Sequence, residues 1–151
     1  MQIEWRLKRF EDLTPHELYA ILQLRIEVFV VEQHCVFQDA DDKDQESHHL
    51  MGWQDNKLVA YTRLVPPGYI YEQASIGRVV TSPYVRRFGA GKQLMLQSIE
   101  AVYQLFGQRP IKIGAQYYLK RFYESFGFQQ VSDIYLEDGI EHIYMIKELH
   151  T

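Results

Sequence analysis

The order of hydrophobic periods along this chain implies an α/β domain, a mixed β-sheet with helices on both faces. Segments in which apolar residues recur at every second position are separated by segments with a helical period, in the order β-α-β-β-β-α-β-α-β-β. The junctions between them carry recognisable cap and turn chemistry, which fixes where each element stops.

Ile3, Trp5 and Leu7 alternate with polar residues and open the chain as a strand. Thr14-Pro15-His16-Glu17 is a complete helix start: Thr14 as N-cap, Pro15 at the first helical position, Glu17 closing a capping box, and Leu13 and Leu18 placed as a hydrophobic staple. The helix is expected to reach about Val30, burying Leu18, Ile21, Leu22, the stem of Arg25, Val28 and Phe29. Residues 33–47 have no period and read as a long surface loop. Runs at 48–54 and 58–65 flank Asp55-Asn56-Lys57 as a hairpin, and Pro66-Pro67-Gly68 ends the second. A strand over 74–81 then turns through glycines into a helix over 92–106, carrying Leu94, Met95, Ile99, Val102 and Phe106. After a short strand at 111–115, Leu119, Phe122, Tyr123 and Phe126 mark another helix, stopped by Gly127 at C′. Runs at 128–136 and 140–149 close the chain as a hairpin through Asp138-Gly139.

With 151 residues, 46% hydrophobic and 14% aromatic, the chain has material for one ample core. A net charge of −4 argues against a nucleic-acid partner, and the longest apolar stretches, such as Val28 to Val31, are too short to span a membrane. Cys35 is the single cysteine and rules out an internal disulfide. The opening residues lack a charged-then-apolar leader pattern, so a reducing cytoplasm is the expectation. The charge is uneven. Arg78, Arg86, Arg87 and Lys92 stand together without an acid, whereas Glu32, Asp39, Asp41, Asp42, Asp44 and Glu46 face only Lys43. The first stretch suits an anionic cofactor and the second a cationic partner, against the plainer reading of a solvated acidic loop.

Arg86-Arg87-Phe88-Gly89-Ala90-Gly91 occupies a strand-to-helix junction. Such a turn aims several unpartnered backbone N–H groups at one small volume, with the positive end of a helix behind them. Glycines let the backbone approach a ligand that a Cβ would hold off, and Arg86, Arg87 and Lys92 add cations suited to a multiply charged phosphate. A Walker loop would need glycine at Arg86 and Ser or Thr at Gln93, and a dinucleotide fingerprint a third glycine at Leu94, so ATPase and Rossmann readings fail. Lys43 and Asp44 break the EF-hand pattern in the acidic run, and His48-His49 lacks further ligands at useful spacing, so no metal is expected.

Arg86-x-x-Gly89-x-Gly91 follows one strand, and Tyr123-x-x-x-Gly127-Phe128 ends the helix after another. To these are added Leu24-Arg25-x-x-Val28-Phe29-Val30-Val31-Glu32-Gln33, Ile76-Gly77-Arg78-Val79 and Glu137-Asp138-Gly139-Ile140-x-His142-Ile143. On these motifs, spread over nearly the whole length, the chain resembles the GNAT family of acyl-CoA N-acyltransferases and, within it, an ElaA-like branch. The resemblance implies the GNAT fold for residues 1–151 as a single domain, a central mixed, mostly antiparallel sheet flanked by helices on both faces. It implies acetyl-CoA as co-substrate, its pyrophosphate on the backbone of Arg87, Phe88, Gly89, Ala90 and Gly91, with Arg86 and Lys92 alongside. The pantetheine arm would lie along Val79, Val80 and Thr81, where an N–H would polarise the thioester carbonyl. Tyr123 is the implied donor of a proton to the departing thiolate, as a phenol with an ordinary pKa of ~10 is neutral at pH 7. Read without the motif, Tyr123 would be a core residue of its helix. The chain departs from the family at Arg87, where glycine is common, and at Gln116, where asparagine is common.

The acceptor would be a small-molecule or peptide amine, which at an ordinary pKa of ~10.4 arrives protonated and must lose a proton. Glu32 and the acidic loop are candidates to attract it; Glu32, His49 and His142 are candidates for the base, with a water chain as the alternative. Arg25, with Glu32 and His142, is a candidate to contact the acceptor, and among its apolar neighbours it is also expected to pair with an acid such as Glu32 or Asp39. Two rival readings remain: an acyl-homoserine-lactone-synthase-like enzyme, from Arg25-x-x-x-Phe29, Asp39, Asp42 and Arg63-Leu64-x-Pro66, and a coenzyme A sensing module without turnover. Oligomeric state is open, a homodimer among the options.

Overall fold

A computed structural model describes residues 2–149. The first half of the chain is an antiparallel meander in which β1 (Glu4–Arg9), β2 (His48–Gln54), β3 (Lys57–Val65) and β4 (Ser75–Thr81) lie side by side in chain order. Asp55 and Asn56 turn the β2–β3 hairpin with φ of 50° and 62°, the paired left-handed conformation that a two-residue turn of the right twist requires. The second half contributes β5 (Ile111–Gln116), β6 (Phe128–Gln130), β7 (Tyr135–Glu137) and β8 (Ile140–Lys147). β8 pairs with β5 on one side and with both β6 and β7 on the other, all antiparallel. The single strand expected over 128–136 is thus two. Between them Val131 donates to Tyr144 O and Ser132 Oγ accepts the Tyr144 N–H, so a side-chain oxygen takes over part of the ladder.

The expected central sheet is two sheets, joined by one parallel bridge between Ala74 and Ile111, where the Lys112 N–H reaches Ala74 O at 2.9 Å. A bulge accounts for the separation. Val80 lies opposite Tyr61 but Gly77 opposite Arg63, so β4 carries one residue more than β3, and Arg78 takes up the excess at a φ of 52°. Bulges bend a strand and tighten its twist. Beyond the bridge, β4 turns away from β5.

α1 (Pro15–Arg25) starts with the expected capping box: Thr14 Oγ1 accepts the Glu17 N–H and Glu17 Oε1 accepts the Thr14 N–H. It buries Glu17, Ile21, Leu24 and Arg25, while Leu18 and Leu22 are only half covered. The helix does not end at Val30. It widens into a π-helix over Ile26–Glu32, closed by Gln33 N–H to Val28 O and Cys35 N–H to Val30 O, five residues apart. Ile26, Val28, Val30 and Val31 are β-branched and poor at filling a narrow α-turn. α2 (Ala90–Phe106) starts two residues earlier than expected, and α3 (Lys120–Glu124) is a short helix entered through a 3₁₀ turn at Tyr117–Leu119.

Helices cover both faces of the first sheet. Leu94, Met95 and Ile99 of α2 pack with Leu50, Ala60, Leu64 and Ile76, and this core continues into Ile113, Ile143 and Met145 of the second sheet. Ile21 and Leu24 of α1, with Val28 beyond them, pack on Met51, Tyr61 and Val80 from the opposite side. β3 is therefore buried on both faces from Leu58 to Val65, which explains its near-continuous apolar run.

Candidate active site

Where β4 and β5 part, they leave a cleft of about 950 Å³ between two strand edges. Ser82 N–H donates to Val59 O on the β3 side, so the two-residue alternation of a strand turns the N–H and C=O of Val79 and Thr81 toward the cleft. The Arg86 guanidinium accordingly reaches Thr81 O at 3.3 Å. An unpaired edge of this kind can hold an extended ligand arm as an added strand.

At the end of β4, Ser82 caps a 3₁₀ turn over Pro83–Phe88, and Gly89, at a φ of 73°, joins it to α2. The Gln93 N–H already reaches back to Gly89 O, so the earlier amides of the turn are those an α-helix leaves for a ligand. Arg86 and Gly91 line the cleft. Arg87, Phe88, Gly89, Ala90 and Lys92, also expected at the co-substrate, are not among the residues that line it, and Ala90 is fully buried against Val59 and Val85. A Cβ on Gly91 would come within 3.7 Å of Phe122, which ties the turn closely to α3.

Tyr123 projects from α3 between Phe122 and Phe128, with edge-on ring contacts at 5.2 and 6.1 Å, and it lines the cleft. Burial pushes its phenol well above the usual range, so it stays protonated and uncharged at neutral pH. Core packing and cleft lining are thus both true of this side chain. Gln116, at the end of β5, also lines the cleft, and its amide donates to Gln33 Oε1 at 3.3 Å across the opening.

Within the acidic loop, Asp39, Asp41 and Asp44 are tied up in ion pairs, whereas Asp42 and Glu46 are exposed. Arg25, fully buried, donates to Asp39 and Asp44 at 2.8 Å each; Arg63 holds Asp41 and Asp44, and Arg78 holds Asp39 and Asp41. Three guanidinium groups thus neutralise three carboxylates and staple residues 39–44 to β3 and β4. Burial opposes ionisation of Asp41, but the Arg63 hydrogen bond and the nearby Arg78 outweigh it and bring the carboxyl down to about 2. Arg25 therefore lies in this network and does not line the cleft; its partners include the expected Asp39 but not Glu32. Glu32, at the end of the π-helix, forms a two-pronged pair with Arg86 at 2.6 and 2.9 Å, which holds its carboxyl below the usual range.

The other end of the cleft is walled by the second sheet. Tyr135 of β7 stacks on Tyr144 and on His142 of β8, with centroids 4.6 and 5.8 Å apart, and Tyr71 stands edge-on to Tyr144. Burial, with Tyr144 beside it, pushes Tyr71 up to about 12. Tyr71, Tyr135, Glu137 and His142 all line the cleft. His49 does not. It is buried between Tyr61 Oη (2.7 Å) and Asp44 O (2.9 Å) with both ring nitrogens engaged, so it is no base for an acceptor in the cleft.

A family model described as an acetyltransferase (GNAT) domain matches residues 12–149. The chain belongs to the GNAT family. It is similar to Protein ElaA of Escherichia coli, at 42% identity over 149 residues covering 97% of each chain, and the crystal structure of that protein superposes with a TM-score of 0.91. An acyl-CoA N-acyltransferase from Pseudomonas aeruginosa is similar at 45% identity, covering 97% of this chain and 99% of its own, with a TM-score of 0.93. A CoA-dependent acyl-homoserine lactone synthase, BjaI, shares the fold alone: TM-score 0.82 at 16% identity, over 99% of this chain and 84% of that one.

Within this GNAT frame, the predicted residues Val79, Val80, Thr81, Arg86, Gly91, Gln116, Tyr123, Glu32 and His142 converge on one cleft. The sequence reading did not assign Tyr71, Tyr135 and Glu137 to the site. Glu137 stands in the same motif as His142, five residues earlier, and Tyr135 is the partner of His142 across the β7–β8 hairpin, so the hairpin register was the available signal. Tyr71 lies in a segment without a period and had no signal.

Proposed function

We propose that this GNAT protein transfers an acyl group, most simply acetyl, from acyl-CoA to a primary amine by direct attack in a ternary complex. The observation that carries this reading is the convergence of a free β4 edge, a glycine-hinged helix start and one buried phenol on a single cleft. The groups suited to the co-substrate are the amides at the start of α2, residues 89–92, and the Arg86 side chain for its phosphates, and the Val79 amide and carbonyl for the amides of its arm. The Val79 N–H also faces the region where charge would develop on a thioester oxygen during attack. Tyr123 supplies the proton that the leaving thiolate takes up and regains one as the product nitrogen becomes a neutral amide.

The test is thiol release from acetyl-CoA over a panel of primary amines, with products identified by mass spectrometry. Amine-dependent release with an acetylated product supports the reading. Coenzyme A binding without release for any amine would mark a sensor instead. An acylated homoserine lactone formed from an S-adenosylmethionine-type acceptor would mark the synthase reading, against which the Arg86 to Gly91 turn and the 16% identity both stand.

A further inference from the structure

His142 has a fixed tautomer when neutral. Its Nδ1 lies 2.8 Å from Ile140 O, and a carbonyl can only accept, so Nδ1 carries the hydrogen. The lone pair of the neutral ring is then on Nε2, which sits 3.4 Å from Glu137 Oε2, a group that when ionised can also only accept. Two acceptors facing each other gain an attraction once a proton arrives between them. The ring is stacked on Tyr135 and its side chain is only 9% exposed, so it cannot swing out to find another donor. Of the three bases considered from sequence, Glu32 is gripped by Arg86 and His49 has both nitrogens engaged. His142 is the one that lines the cleft with a nitrogen still able to take a proton.

We propose that Nε2 of His142 accepts the proton of the incoming ammonium, and that Glu137 is the positioning residue that steadies the resulting imidazolium. This deepens the acyltransfer reading and rests on it. The N–H bond of the ammonium breaks toward Nε2, and the freed lone pair forms the C–N bond. The C–S pair leaves with sulfur, which takes the Tyr123 proton; the nitrogen's second proton returns to the phenolate, and His142 releases its own to water. One proton appears in solution for each amide formed. The acceptor is thus a primary amine that arrives as a cation, drawn by Glu137 and Asp138. These are the cleft carboxylates at this end that no arginine holds among the described residues.

Besides Glu137, the titratable group against the ring is Tyr135 on β7, itself stacked on Tyr144 of β8, against which Tyr71 and Lys112 lie. The experiment measures thiol release from acetyl-CoA against pH for wild type, His142→Gln and Glu137→Gln. The acceptor is whichever primary amine of a panel of diamines, lysine peptides and aminoglycosides turns over. His142→Gln is expected to lose ~100-fold at pH 7, to keep its coenzyme A affinity, and to recover above the pKa of the amine, where the acceptor arrives neutral. Glu137→Gln should lose ~10-fold and shift the acidic limb of the profile toward lower pH, because the imidazolium loses the carboxylate beside it. Unchanged turnover in His142→Gln, or a loss that persists at high pH with the fold intact by thermal melting, overturns the assignment. A nitrogen-15 spectrum of the neutral ring provides an acceptor-free check: hydrogen on Nδ1 is expected, and hydrogen on Nε2 overturns it. Wild type that releases thiol with no amine sinks the acyltransfer reading itself, whereas wild-type turnover with an unaffected variant sinks only the role of His142.

Discussion

The two walls of the cleft are built by opposite means. On the β4 side, charge is assembled from distant parts of the chain: Arg25 of α1, Arg63 of β3 and Arg78 of β4 meet Asp39, Asp41 and Asp44 of one loop. On the β5–β8 side, the wall is a short hairpin whose rings stack on their own neighbours, Tyr135 on His142 and Tyr144. The first wall depends on buried ions having partners, which is costly to break because a stranded charge cannot reach water. The second depends mainly on local register and ring contact, which salt barely touches.

The contrast is broken most severely at Arg25. Arg25→Ala leaves Asp39 and Asp44 short of a partner in a buried place and should destabilise the fold by about 3–5 kcal/mol, read by denaturant unfolding. A loss below about 1 kcal/mol would mean that water already reaches the network. Next is Tyr123→Phe, expected to lower turnover ~100-fold, about 2.7 kcal/mol in barrier, while coenzyme A affinity measured by calorimetry stays put. Full activity in a chemistry-limited assay would remove the phenol from the reaction.

Acid should separate the walls. Asp41 has its folded pKa brought down to about 2, so the stability it contributes is present above the unfolded value of ~3.9 and drains as pH falls through about 2. That is about 2 kcal/mol in wild type, absent from the slope of Asp41→Asn in urea titrations between pH 5 and 2; identical slopes would show that the loop is not held by charge. The smallest effect is at the mouth. Glu32→Gln releases Arg86 from an exposed pair and should tighten coenzyme A binding ~3-fold, an effect that fades in high salt; weaker binding would mean the pair itself supports the turn.

The same contrast decides what the sequence could disclose. The α1 capping box, the Asp55-Asn56 and Asp138-Gly139 turns and the Arg86 to Gly91 junction are local, and each is found where residue chemistry puts it. The register of Tyr135 with His142 follows from the last of those turns, so that half of the wall was within reach. Arg25 among apolar neighbours pointed to an acid such as Asp39, but nothing local announces that Asp39 must also find Arg78, thirty-nine positions away, because pairing at that range is settled by how two elements pack. The β4 bulge was hidden for a similar reason: Arg78 at positive φ is an unfavourable local choice held by its ion pairs with Asp39 and Asp41. The π-helix escaped because its pattern of apolar residues differs little from that of an α-helix.

The parallel bridge at Ala74 and Ile111 is the one ladder contact between the two sheets among the described residues, so the gap beyond it exists without any broken backbone pairing. Whatever slides between them and bonds to β4 becomes a temporary member of the framework, and the empty and loaded forms should melt at different temperatures.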